Sequence, residues 1–320
     1  MKNHILKQEV LVFVILCILP GSASLFAQSG GGATAFLQRP IGVEAISLGG
    51  AYASVARDPS AIFWNPAGLA QSKNFRIMSS YAILPLDQQH NFVGIAIPVM
   101  PQLVLGGGWI NYGVDGIDRR DENKNLLGQF SSSDNAFIIS VAKQFSVQNR
   151  GSFTLGASGK YLYSSIAGVT ASGFGFDIGG LFRFDRFTIG ASAQNLGSTL
   201  NWKTESLRDD HVPFTARGGL SYEFGLGASR TATSLRVSFE GAKTESQMTQ
   251  LLVGAEGKMQ LGIQNSFTAI RMGYGNKLFS GGISFGLGLD RNLAAEIQYA
   301  ASQDFLTEGL LHHIGVVLQF

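Results

Sequence analysis

From Gln71 to the carboxy terminus the hydropathy of this chain alternates residue by residue. Successive side chains of a strand point to opposite faces, so a period of two builds sheet with one apolar and one polar face. Phe75, Ile77, Tyr81 and Ile83 alternate with Asn74, Arg76 and Ser80. Phe153, Leu155, Tyr161 and Tyr163 alternate with Thr154, Ser158 and Lys160, and Phe174, Phe176, Ile178, Phe182 and Phe184 with Asp177 and Arg183. About fourteen such segments follow one another, at 73–84, 90–98, 102–112, 135–145, 152–163, 172–184, 186–195, 212–224, 233–242, 250–259, 265–274, 278–289, 293–302 and 309–320. Each is near the ~9–11 residues that a tilted strand needs to cross a bilayer.

Alternation alone fits a soluble sandwich as well as a membrane barrel, because both have one wet and one dry face. The amino terminus is the first discriminator. Lys2 and Lys7 precede the apolar run Val10 to Leu19, followed by Pro20 and the small residues Gly21, Ser22, Ala23 and Ser24. This is the pattern of a signal peptide, with cleavage expected after Ala27. Its Cys17 is the one cysteine of the chain, and bulky Leu16 before it suits a lipoprotein site poorly. The mature chain then holds no disulfide. Aromatic residues near both ends of the strands are the second discriminator.

The carboxy terminus is the third. His313-Ile314-Gly315-Val316-Val317-Leu318-Gln319-Phe320 places Ile314, Val316, Leu318 and Phe320 on one face. A polar residue, a glycine two on, then apolar and terminal aromatic positions (His313, Gly315, Leu318, Phe320) resemble the signal read by the barrel-assembly machinery. The expected fold is therefore all-β and transmembrane, an antiparallel outer-membrane β-barrel of about fourteen strands. Composition agrees: 320 residues are 45% hydrophobic and 14% charged, with a net charge of +2, 41 Gly and 23 Phe. That balance excludes a disordered chain and gives no reason for a nucleic-acid partner. No run reaches the ~18 apolar residues of a spanning helix.

Residues 35–70 break the period of two. Ile41, Ala45, Leu48, Tyr52 and Val55 recur at helical spacing, with small Gly42, Ser47, Gly49, Gly50 and Ala51 beside them. A helix over 41–55 is expected after Pro40, then a turn at Asp58-Pro59. About eight strands already enclose a filled interior, so fourteen leave a lumen that needs a plug. The expected domains are a signal peptide at 1–27, a hatch at 28–71 and the barrel at 72–320.

Gly49-Gly50-Ala51-Tyr52-Ala53, Asp58-Pro59-Ser60-Ala61 and Trp64-Asn65-Pro66-Ala67-Gly68-Leu69 resemble the amino-terminal signature of the PorV/PorQ family, itself related to the FadL-like long-chain fatty acid transporters. The resemblance implies an outer-membrane barrel with a hatch whose motif residues are Asn65, Pro66, Ala67 and Gly68. It also implies a non-enzymatic part in type IX protein secretion or surface attachment, with secreted cargo proteins as partners. The alternative it carries is passive transport of hydrophobic small molecules. In FadL-like barrels a kink in the third strand opens the wall sideways, which makes Gly106, Gly107 and Gly108 the candidate lateral gate; close contact with the hatch is the other reading of these glycines. The implied location is the outer membrane of a Gram-negative-type bacterium, in contact with outer-membrane lipid.

Other motifs are weaker. Gly282-Ile283-Ser284-Phe285-Gly286 matches G-x-S-x-G, and Ser284, Glu296 and His313 share the lumen parity of adjacent strands, a remote case for a lipid hydrolase. The pattern lies mid-strand, so no catalytic residue is assigned. Gly173-Phe174-Gly175 lacks the helix of a dinucleotide loop. The five His are scattered, His312 and His313 point to opposite faces, and the Asp115–Asp121 loop carries Arg119 and Arg120 among its acids, so neither a metal nor a cofactor is expected. Lumen-parity charges of both signs (Arg76, Lys160, Arg183, Arg217, Arg236, Lys258 and Arg271 against Asp177, Glu223, Glu240, Glu256 and Glu296) fit ion pairs that hold the hatch better than a selective pore.

Overall fold

The computed structural model describes residues 34–147, 151–204, 209–226, 233–263, 266–290, 293–304 and 309–320. The signal peptide, the first residues of the hatch and the Arg291-Asn292 turn lie outside the described residues. In chain order the strands are β1 (Arg76–Ile83), β2 (Gln88–Met100), β3 (Leu103–Arg120), β4 (Leu126–Val147), β5 (Gly151–Ile166), β6 (Val169–Phe184), β7 (Phe187–Trp202), β8 (Asp209–His211), β9 (Thr215–Leu226), β10 (Thr233–Thr244), β11 (Gln250–Gln260), β12 (Phe267–Gly275), β13 (Leu278–Gly288), β14 (Ala294–Gln303) and β15 (Leu310–Gln319).

Every neighbouring pair is antiparallel. β1 pairs with both β2 and β15, β6 with β7, and β7 with β9, so the wall closes on itself. β8 has three residues and only lengthens the far end of β7. Without it, the wall is a closed barrel of fourteen strands. The start of β1 and the end of β15 meet at one end of the barrel, where the Phe320 amide donates to the Phe75 carbonyl at 2.9 Å and the two rings lie 5.6 Å apart. We call this the terminal end.

The alternation sorts as the residue types require. Ile139, Phe174, Phe176, Ile270 and Leu251 stand exposed on the outer surface, while Ser140, Asp177, Arg271 and Leu252 beside them are buried inside. Among the described residues no helix is long and apolar enough to cross a membrane, and the outward side chains of the strands form an apolar surface.

The strands run on beyond the alternating segments: β3 and β4 continue as a long hairpin to a turn at 121–125, and β7 continues to Trp202. Polar residues such as Asp118 and Asp134 extend the ladder here, since water satisfies the faces of a sheet beyond its apolar band. Short turns occur at both ends of the barrel. Asp185-Arg186 lies at the terminal end, whereas Ala167-Gly168 and Asn276-Lys277 turn at the far end with positive φ at both positions (50° and 86°, 52° and 65°), the geometry of tight hairpins.

The hatch fills the lumen with short turns in place of one long helix. The helix expected over 41–55 spans only Val43–Ser47. Gly49 and Gly50 adopt φ of 66° and 80°, which end it at once. A second turn of helix covers Ala61–Trp64, and a 3₁₀ turn covers Pro66–Gln71. Ala45, Ala51, Tyr52, Ala53, Ala61, Ile62, Ala67 and Leu69 are fully buried.

Removal of Phe320 deletes the last ring pair and the last ladder bond, together worth about 1–3 kcal/mol. We expect a smaller fraction of barrel that resists detergent until heated, read as the gel-mobility shift on boiling. Deletion of exposed Glu122 in the β3–β4 turn is expected to leave that fraction unchanged.

Candidate functional site

The hatch motif is a joint between plug and wall. Asn65 is completely buried; its Nδ2 donates to the Ala53 carbonyl at 2.7 Å and to the Gly180 carbonyl of β6 at 3.2 Å, and its Oδ1 accepts from the Ala67 amide at 3.2 Å. Pro66 opens the 3₁₀ turn where its missing N–H costs nothing. Ser192 Oγ of β7 donates to the Trp64 carbonyl at 2.8 Å, and Gln194 Nε2 donates to the Phe63 carbonyl. The wall is stripped of side chains at the contact: a Cβ at Gly156 would collide with the backbone of Pro66 and Ala67, and one at Gly179 with Asn65. Inside the hatch, Gly68 lies against the Ala56 backbone.

Gly106, Gly107 and Gly108 do not kink β3. The ladder to β2 pairs Ala96 with Gly106, Ile95 with Gly107 and Gly94 with Gly108, and the ladder to β4 is equally continuous there. The lateral gate expected from a kink at this place is therefore not formed. Gly106 and Gly108 instead admit Leu69 and Ile62 of the hatch, while Gly107 faces outward beside Ile95. The register shifts of β3 lie away from these glycines, opposite Pro98–Met100 and after Val114, and another irregular stretch lies between β6 and β7, around Phe176. There the Asn195 amide freed from the ladder donates to buried Asp177 at 2.8 Å, and Lys160 reaches Asp177 at 2.9 Å and Asn195 Oδ1 at 2.6 Å.

The lumen has two unlike halves. Towards β9–β14 it is charged. Arg57 of the hatch meets Glu44 at 2.7 Å and Glu256 of β11 at 2.6 Å. Arg271 of β12 reaches Glu256 at 2.7 Å and Glu44 at 3.5 Å. Arg236 bridges Glu223 at 2.5 Å and Glu256 at 3.4 Å. Arg217 pairs with Glu240, whose other oxygen accepts from the Ala53 amide at 2.6 Å. Burial pushes the Glu44 carboxyl above its usual range, opposed by Arg57 and Arg271. These charges tie the hatch to the wall, and Glu44 and Arg57 are the hatch members that lumen parity in the strands left unnoticed. Their signal was present: charged residues inside an otherwise apolar, small-residue segment.

Towards β1–β4 the inner face is apolar. Met78, Phe92, Ala96, Val104, Ile110, Ala136, Ile138 and Ala142 point inward and pack with Phe36, Ile41, Ile62 and Leu69 of the hatch. Sequence reading assigned the inward face to polar residues, so this seam was missed. Its trace is a local loss of alternation, as in Trp109-Ile110 and Phe137-Ile138-Ile139.

The remaining motifs are accounted for by neighbours. Ser284 accepts from Arg271, Glu296 lies by Gln298 and Arg271, and His313 bonds Ser302 at 3.0 Å, so none of the three is bonded to another. Gly173 and Gly175 lie within β6 against Thr199 and Ser198. Asp118 pairs with Arg120 at 2.6 Å, and Asp121 accepts from the Asn123 and Asn125 amides, a self-contained turn. No cluster of metal-ligating residues occurs among the described residues. Of the carboxy-terminal signal, His313 and Gly315 face the lumen, Gly315 against Val43, while Leu318 and Phe320 take the outward parity.

No family profile matches the sequence, and no curated protein matches it. Solved structures do. The CymD monoaromatic hydrocarbon channel superposes with a TM-score of 0.57 at 12% identity, covering 87% of this chain and 96% of that one. The toluene transporter TbuX of Ralstonia pickettii gives 0.55 at 12% identity, over 87% and 97%. The toluene transporter TodX of Pseudomonas putida gives 0.57 at 10% identity, over 87% and 97%. The likeness is one of fold.

Two substitutions probe the joint. Arg271→Ala leaves Glu44 and Glu256 short of a partner in the lumen, a loss of about 3–5 kcal/mol. We expect a lower unfolding temperature in detergent and a higher ion conductance in planar bilayers as the hatch loosens. Gly156→Val is expected to raise conductance in the same assay while the strand content by circular dichroism stays constant, because the clash is with the plug and not with the ladder.

Proposed function

We propose that the protein is an outer-membrane conduit for hydrophobic small molecules, of the FadL-like kind. The observation that carries the reading is the apolar seam between the hatch and the inner face of β1–β4. A water-filled channel is lined by polar residues; Phe92, Val104, Ile110 and Ile138 line this one. A seam of this chemistry lets an apolar molecule leave water for a dry path, and the ion pairs on the opposite side keep the hatch anchored while the seam side yields. The seam is closed by direct packing in this conformation, so passage requires the hatch to shift at Ile62 and Leu69. The fold likeness to hydrocarbon channels supports the same reading.

The secretion role implied by the PorV/PorQ resemblance gains no such support. Its signature residues Trp64, Asn65, Pro66, Ala67 and Leu69 are buried in the lumen, where no cargo protein reaches them. The reading places the chain in the outer membrane of a Gram-negative-type bacterium, inserted by the barrel-assembly machinery and surrounded by outer-membrane lipid, with no enzymatic step and no cofactor.

The test is uptake of radiolabelled toluene by cells that express the protein, with assembly checked by heat-modifiable mobility. Ile138→Asp puts a carboxylate in the seam and is expected to slow uptake about tenfold or more, a barrier increase of ~1.4 kcal/mol or above. Lys258→Gln, on the charged side, is expected to leave uptake within about twofold, under ~0.5 kcal/mol. Equal uptake by the Ile138 variant and the parent barrel overturns the reading.

A further inference from the structure

A sizeable cavity among the described residues lies apart from the seam. It lies at the terminal end of the lumen, has a volume of about 520 Å³, and is bounded by the hatch on one side and by β6, β7, β9 and β10 on the other. Pockets that hold small molecules are typically ~300–1,000 Å³ and are frequent in the mouths of β-barrels. Its lining carries six cations, Arg57, Lys73, Arg76, Arg183, Arg186 and Arg236, against two acids, Asp185 and Glu223.

Internal pairing leaves much of this charge uncompensated. Arg236 is bound to Glu223, Arg57 to Glu44 and Glu256, and Arg76 donates to Gln319 Oε1 at 2.9 Å and to the Arg57 carbonyl at 3.2 Å. Lys73, Arg183 and Arg186 form no ion pair among the described residues. A second observation is independent of charge. Ser54, Thr188 and Ser221 line the cavity, each more than nine-tenths buried, and their hydroxyls have no hydrogen-bond partner among the described residues. These hydroxyls open onto the cavity and are free to donate to a ligand held in it.

We propose that this vestibule is a binding site for a small organic anion bearing two or more carboxylate or phosphate groups. Cations at the rim bind the oxyanions in charge-assisted hydrogen bonds, which for Arg are often bidentate. The hydroxyls at the floor donate to the same oxygens. Apolar lining is confined to Val55, Ala56, Leu181 and chain stems, too little for an acyl tail. The volume is several times that of one phosphate ion. A soluble polyanion therefore fits better than a lipid. The site is separate from the seam, and its occupancy does not depend on hydrocarbon passage.

The experiment is isothermal titration of the full mature chain in neutral detergent with three probes: citrate, inorganic phosphate and dihexanoyl phosphatidylglycerol. We expect citrate to bind most tightly, with an affinity that falls as salt rises. Arg183→Gln combined with Arg186→Gln, both exposed at the rim, is expected to weaken citrate about tenfold or more. Thr188→Val is expected to weaken it about fivefold by removing a neutral donor. Ile138→Asp should leave citrate binding unchanged, which separates this site from the transport reading. Tighter binding of phosphatidylglycerol than of citrate overturns the soluble-anion assignment in favour of a lipid headgroup. No binding of any probe, or equal citrate affinity in the rim variants, overturns the site itself.

Discussion

Closure of the sheet is the constraint from which the rest of the molecule follows. In a hydrocarbon environment an unpaired strand edge costs several kcal/mol per exposed group, so a spanning sheet must pair its first strand with its last. Here that seam runs from Arg76 opposite Gln319 to Ile83 opposite His312 without a register shift. Closure fixes the inward and outward parity of every strand at once. Slipping any strand by one residue would place Arg271 or Asp177 in lipid and Ile270 or Phe176 in the lumen.

A closed wall of fourteen strands encloses more space than its own side chains fill. The amino-terminal segment fills it, and the way it does so explains the glycines of the wall. At Gly156, Gly179, Gly106 and Gly108 the hatch comes so close that no side chain fits. Asn65 then takes over the work of a wall side chain from the plug side, bonding a β6 carbonyl and capping its own turn. The hatch thus behaves as part of the barrel's interior and not as a separate body.

The division of the lumen gives this arrangement a direction. Arg57, Arg271, Glu44 and Glu256 hold one flank of the hatch by directional, mutually compensating charges, each of which is costly to strand alone. The other flank is held by apolar contact with Phe92, Ile110 and Ile138, which is non-directional and tolerates sliding. Under the proposed function such a plug yields first along its apolar flank. The cationic vestibule at the terminal end combines members of the ion-pair network, Arg57 and Arg236, with Lys73, Arg183 and Arg186.

Much of this was legible in the residues, because a period of two is a local property. Each of the fourteen expected segments overlaps an observed strand, and the mixed charges of lumen parity do form ion pairs with the hatch. Strand ends were less legible: the β3–β4 hairpin extends through polar residues that read as a loop, since a ladder in water needs no hydropathy pattern. The helix over 41–55 failed at Gly49 and Gly50, whose backbone freedom outweighs apolar spacing once the wall supplies the burial. By itself, then, the sequence determined that the chain would close as an apolar-banded barrel around its amino-terminal segment, because alternation and closure are dictated strand by strand. Only the tertiary structure decided which lumen residues meet the hatch, that Gly106 to Gly108 admit side chains and do not bend the wall, and that apolar and charged halves face each other. Those outcomes depend on which strands lie across the lumen from one another, a relation between residues more than two hundred positions apart that no local pattern records.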